Sequence, residues 1–301
     1  MVRDDTITKI EYHSYNPYSN SSLNKNDEIR IPVQNMSSFV LPHESYLYVE
    51  GKLPELTPET LNSINFTKNF VPFLFSEVRF EMNGISVDQI KNPGIVSTLK
   101  YYLSLSAAEL ASNQHLWYKE DLIMNKIQTF SYIIPMSKLM GFFQDYKEIV
   151  IFSKLELVLL RSRTDNNCVF QIPTQNAAAS TLNILLTKVQ WCIPHVEVND
   201  VHKLKLLKIL QSGRRISMPF RSWQYHENPQ LPQSSRITWQ DKTASEMEKP
   251  LFVIIGFQTA RQDISTTNGT IFDHCKLQNA KLFLNSQQFN MLLLTICFVI
   301  L

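Results

Sequence analysis

Apolar residues in this chain recur mostly at every second position, the period of a strand with one buried face, and only briefly at the spacing of a helix. The stretch that organises the rest is Phe73 to Asp88, where Asn83-Gly84 stands between two alternating runs. Asn and Gly tolerate the positive φ angles of a type I′ turn, which predicts a two-residue hairpin. Counted back from that turn, Met82 faces Ile85, Phe80 faces Val87, Glu81 faces Ser86 and Arg79 faces Asp88. Phe80, Met82, Ile85 and Val87 then form one apolar face, and Arg79, Glu81 and Asp88 are left for solvent or a neighbouring chain. A two-stranded ribbon is marginal in water by itself, so the apolar face predicts a second layer and hence a sandwich of sheets.

The same period continues on both sides. Residues 1–26 are polar, with a short strand expected at Ile7 to Tyr12, and read as an extended arm. Strands are expected at Asp27–Val33, Ser37–Leu41, Tyr46–Leu53, Thr129–Ile134, Ile149–Arg161 and Thr181–Ile193, the last ended by Pro194. Helical spacing predicts a helix from Pro93 with Asn92 as its cap, a second from the Ser106–Glu109 capping box, and a helical turn over Pro135–Phe143. Asp200 to Leu210 carries the clearest boundary signal: Asp200 as cap, Leu204 and Leu207 at helical spacing, and Gly213 as the closing glycine. Beyond it, Ile216–Tyr225, Arg236–Lys242, Leu251–Ala260 and Cys275–Asn285 are strand candidates. The expected organisation is an arm (1–26), a first sandwich (27–194), a helical linker (195–213) and a second β block (214–301).

Composition narrows the chemistry. With 29 basic and 27 acidic residues, the net charge of +2 points neither to nucleic acid nor to an anionic membrane. The seven glycines are too dispersed for a G-x-G-x-x-G fingerprint or a Walker A loop. Cys168, Cys192, Cys275 and Cys297 contain no C-x-x-C pair and read as small buried hydrophobes. The N-terminus lacks the charged and apolar regions of a signal peptide, so the expected location is intracellular. The apolar run from Met291 to Leu301 is far shorter than the roughly 20 residues of a transmembrane helix, so no membrane partner is expected.

Candidate catalytic groups fail on spacing. His43-Glu44 begins like a zinc-protease helix, but Leu47 stands where the second histidine belongs. His195 and His202 are seven positions apart and do not share a helix face. In Asp273-His274-Cys275, adjacent strand residues would point to opposite faces, so His274 would not activate Cys275. Arg161/Arg163 and Arg214/Arg215/Arg221 read as solvated basic groups, and the lysines of Lys203–Lys208 as the wet face of a helix packed between two domains. No metal, cofactor or small-molecule substrate is expected.

Several stretches together resemble the double jelly-roll-like proteins of invertebrate genomes. They include Phe39–Leu53, Phe75–Ile85, Gly94–Lys100, Trp191–His195, Leu204–Lys208, Glu248–Pro250, Gly256–Arg261 and Phe272–Cys275. The resemblance implies the fold of the double jelly-roll major capsid proteins of Polinton or Maverick elements and related DNA viruses. It also implies homotrimers that tile a shell, in a virion if the gene is viral, and it carries over no catalytic residue. The expected fold is all-β with a few short helices, a tandem double jelly roll. The second unit, with its apolar tail from residue 288, is expected to be incomplete, because four strands cannot close an eight-strand jelly roll. The expected role is structural self-association without catalysis. The alternative is a carbohydrate- or protein-binding module, which requires exposed aromatics such as Tyr46/Tyr48 or Trp223/Tyr225/Trp239.

Overall fold

A computed structural model describes residues 6–19, 22–33, 39–54, 63–104, 129–172, 183–240, 250–284, 287–290, 292–293 and 298–300. Its first elements are β1 (Ile7–Tyr15), β2 (Glu28–Val33), β3 (Phe39–Val40), β4 (Tyr46–Lys52), β5 (Ile64–Phe66) and the helical turn α1 (Phe70–Phe73). The hairpin β6 (Phe75–Met82) and β7 (Ile85–Lys91) leads into helix α2 (Pro93–Ser104). Next come β8 (Thr129–Pro135), the short helices α3 (Met136–Leu139) and α4 (Gly141–Asp145), β9 (Val150–Ile151) and β10 (Leu155–Arg161). β11 (Val169–Gln171), β12 (Leu185–Val198) and α5 (Asp200–Gln211) complete this unit. The Ser106–Glu109 helix expected from sequence lies outside the described residues.

Two antiparallel sheets make the sandwich, one ordered β8-β4-β12-β3-β9 with β1 also on β12, the other β2-β10-β6-β7. Alternation along each strand sends one set of side chains inward. Ile29, Ile31, Val78, Phe80, Leu157 and Leu159 from one sheet are fully buried opposite Leu47, Val49, Ile134, Trp191 and Ile193 from the other. Phe80 joins the layers, its ring 4.9 Å from those of Phe142 and Phe143 and 6.2 Å from that of Trp191.

The hairpin turns at Asn83 (φ +53°) and Gly84 (φ +79°), and Met82 pairs with Ile85 and Glu81 with Ser86. Beyond that the register departs from the two-residue count. Phe80 pairs with Asp88, and Arg79 with Gln89, because a bulge leaves Val87 as an extra residue on β7. The inward set of β7 therefore becomes Asp88 and Ile90, while Ile85 is 71% exposed and Val87 half-buried. Asp88 does not face solvent: its carboxylate accepts from the Phe142 backbone N–H at 2.9 Å and satisfies one of the unpaired donors that open α4. Burial raises its pKa, against the lowering effect of these backbone bonds. Asp88→Ala is expected to cost about 1–3 kcal/mol, because Phe142 N–H stays buried without an acceptor. Asp88→Asn, which keeps a carbonyl oxygen there, is expected to cost less; chemical denaturation of both variants checks the order.

Three strand boundaries also differ from the expectation. β12 runs through Pro194 to Val198, because the Pro194 carbonyl still accepts from Leu41 N–H and the ring removes only one donor. The strand expected over Ile149–Arg161 is two strands, β9 and β10, separated at Phe152, which has φ +46°. The polar arm contains β1, paired with residues 191–198 of β12 although its side chains are exposed along most of its length.

After α5, residues 212–240 contain no described strand or helix. The alternation in Ile216–Tyr225 has a different use: Met218, Phe220, Trp223 and Tyr225 pack as an extended strap onto the core of the sandwich. Gly141 makes this approach possible, since a Cβ there would lie 1.6 Å from the Arg221 carbonyl oxygen. Further on, Val253–Ile255 pairs with Phe298–Ile300, which also pairs with Leu292–Leu293, and Lys281–Leu284 pairs with Gln287–Asn290.

Candidate functional site

The linker helix and the outer face of the sheet that contains the hairpin lie on opposite sides of the sandwich, and each carries charge, whereas Phe80 and Asp88 of the expected hairpin set point inward. On the four-stranded sheet, alternation turns Glu28 and Arg30 of β2, Glu156 of β10, and Glu77, Arg79 and Glu81 of β6 outward. Arg79 Nε lies 2.8 Å from Glu81, and its guanidinium 3.4 Å from Glu77 and 3.6 Å from Glu28. Arg30 reaches Glu28 at 2.5 Å, Glu156 at 3.4 Å and Glu81 at 3.7 Å. Val158 stands between the two arginines in register and is only 3% exposed, covered by their aliphatic stems. Four carboxylates share two guanidinium groups, and Lys91 of β7 stands opposite Glu77 on the same face, which leaves the lattice with an excess of one carboxylate.

Helix α5 lies on the far side. Asn199, not Asp200, caps it: the Asn199 side chain accepts from His202 N–H at 2.8 Å, and Asp200 occupies the first helical turn. Gly213 follows at φ +63°. Leu206 rests on Phe39, Leu41, Val196 and Val198, a small apolar cluster on the outer side of the six-stranded sheet. Leu204 does not take part: it is 59% exposed, Val201 is 64% exposed and Leu207 half-buried, and no residue of the helix is fully buried. The expectation that this helix is packed between two domains is not met by its surroundings among the described residues. Lys203, Lys205 and Lys208, with Arg214 and Arg215 just after, are exposed and form no salt bridge with a described residue.

The remaining titratable groups serve the fold. Arg161, expected to be solvated, is 1% exposed: it donates to Asp165 at 2.6 Å and to the Leu74 carbonyl at 2.8 Å. Arg221 grips Asp145 with both guanidinium arms, at 2.6 and 2.7 Å, and fastens the strap; this pairing lowers the Asp145 pKa. Lys100 lies 5.4 Å from the Trp223 ring centroid with no hydrogen-bond partner for its buried Nζ.

The groups that looked catalytic are engaged elsewhere or apart. Asp273 binds Arg261 at 2.7 and 2.9 Å, a pairing that lowers its pKa to about 2. His274 Nδ1 accepts from Lys276 N–H at 2.9 Å, and Cys275 sits exposed in a turn at φ +47°, not in a strand or in a core. Cys168 and Cys192 are buried. His195 accepts or donates at 2.7 Å with the Tyr15 hydroxyl and touches the His13 ring, 4.3 Å between centroids. Among the described residues there is no group of three or more metal-binding side chains, and no helix is long and apolar enough to cross a membrane. Of the aromatics a binding module would expose, Trp223 and Tyr225 turn onto the core and Tyr46 and Tyr48 are half-buried; Trp239 is 44% exposed.

The fold is thus mostly β, antiparallel, with a few short helices. Residues 64–298 match the family model of the double jelly roll-like domain, and the chain belongs to that family. No curated protein matches it. Among solved structures it is similar to the Faustovirus major capsid protein, at 10% identity and TM-score 0.48, over 67% of this chain and 56% of that one. It is also similar to the PBCV-1 virus capsid (11%, TM-score 0.45, 68% and 46%) and to the mavirus major capsid protein (9%, TM-score 0.41, 64% and 47%). The chain spans about half the length of the solved structures it matches.

Proposed function

We propose that this chain is a structural, self-associating protein of capsid type that works without catalysis, through contacts between copies. Membership of the double jelly roll-like family is the observation that carries the reading. It is supported by the use of the polar groups: the buried Arg161–Asp165 and Asp88–Phe142 contacts and the more exposed Asp145–Arg221 pair hold loops, a helix start and a strap in place. Homotrimers are the assembly unit proposed for the full-length family form, and the division into a sandwich over 27–194, a linker over 195–213 and a second block over 214–301 belongs to the same proposal. Electron microscopy of the expressed protein, with light scattering at high concentration, tests it. Trimeric rings or particles are expected, and a strictly monomeric profile at every concentration would overturn it.

A further inference from the structure

The two charged faces are complementary and cannot meet within one chain. Helix α5 presents Lys205 and Lys208 on the side turned away from Leu206, with Lys203 nearer the packed side and Arg214 and Arg215 just after the helix, against the single carboxylate of Asp200, and none of the five cations is paired with a described residue. The outer face of the four-stranded sheet holds Glu28, Glu77, Glu81 and Glu156 against Arg30, Arg79 and Lys91, which stands opposite Glu77. Leu206 anchors the helix to the outer side of the other sheet, so the whole sandwich separates the two patches. A chain that carries both signs on opposite faces brings them together only by adding a second copy.

We infer that the basic α5 face of one copy docks on the Glu28/Glu77/Glu81/Glu156 face of a second copy. The inference rests on the self-association reading and assigns it a surface. The contact is heterologous, since different patches meet, and each added copy leaves one of each patch open for the next. Charge sets the pairing and its rate, while exposed Val201 and Leu204 add apolar area that water would otherwise cover. The lattice arginines fit the same scheme: they hold the glutamates in a fixed array without neutralising them.

Sedimentation of the full chain at low and moderate salt tests the inference. Raising sodium chloride from about 0.05 to 0.3 M shortens the screening length about 2.4-fold, and self-association is expected to weaken at least tenfold. Two variants are then compared, K205E/K208E and E77K/E156K, each first shown by circular dichroism and melting to be folded. Each is expected to associate at least tenfold more weakly than the unmodified chain, and an equal mixture is expected to recover association, because the intact helix of one fits the intact lattice of the other. Wild-type-like association of either folded variant, or a mixture that fails to recover, would overturn the inference while leaving the self-association reading standing. A chain that stays monomeric at every concentration and salt would overturn both.

Discussion

Asp165→Ala is expected to lower the unfolding free energy by about 3–5 kcal/mol, more than any other single change considered for this chain, because it leaves a buried guanidinium without its counter-charge. Asp165 is fully buried and links three stretches of sequence. One carboxylate oxygen takes the Arg161 guanidinium at 2.6 Å; the other accepts from Ile184 N–H at 2.9 Å and faces Lys25 Nζ at 3.5 Å. Arg161 in turn holds the Leu74 carbonyl, so the pair secures the entry to β6, the loop after β10 and the approach to β12 together. The cost arises from the stranded charge, so the double variant Arg161→Met/Asp165→Leu is expected to be milder than Asp165→Ala. Urea denaturation of Arg161→Met, Asp165→Leu and the double variant measures the coupling. A cost below about 1 kcal/mol for Asp165→Ala would show that water reaches the site and that the pair is not doing what its burial implies.

How far this arrangement could be read beforehand depended on whether a residue's role was set by its neighbours in sequence or by a distant segment. The Asn83-Gly84 turn and the alternation in β4, β6, β8 and β10 are local, and they led directly to a sandwich. The bulge at Val87 is not local: it exists where Asp88 turns inward to meet α4, more than fifty residues on. A hint was present nonetheless. An unbroken register would have turned Gln89 and Lys91 inward, whereas the next apolar residue is Ile90. Arg161 looked like a solvated charge at a strand end because Asp165 and the Leu74 carbonyl reach it only in the folded chain. The strap followed the same logic: Ile216–Tyr225 has a strand's composition, but its side chains are satisfied by Phe142 and the core, without a sheet partner. The candidate surface was half legible. The lysines of α5 stand out in sequence, whereas the lattice needs β2, β10 and β6 side by side before four glutamates and two arginines become one face.

Lys100→Met is expected to stabilise the protein by about 2–3 kcal/mol at pH 7, with the gain fading as the pH approaches 10.5. Lys100 is 6% exposed in α2, and its Nζ has no hydrogen-bond partner beneath the strap. Burial lowers its pKa to about 8; Lys138 and Arg221 push in the same direction, and Asp145 and Asp88 only partly oppose them. A base whose folded pKa lies below its unfolded value destabilises the fold wherever the unfolded chain holds the extra proton. Below about pH 8 that penalty is complete, and between pH 8 and the ordinary lysine value it disappears, so the unmodified chain should grow more stable across this interval. Methionine fills nearly the same length, favours a helix almost as well, and removes the charge together with its dependence on pH. The indole of Trp223, 5.4 Å away, offers the ammonium an attraction of roughly 1 kcal/mol, too little to offset the burial. Denaturation of both proteins at pH 7, 8.5 and 10 reads the difference directly. A gain that is absent at pH 7, or that stays constant across the three values, would mean that the amine finds water or a partner under the strap.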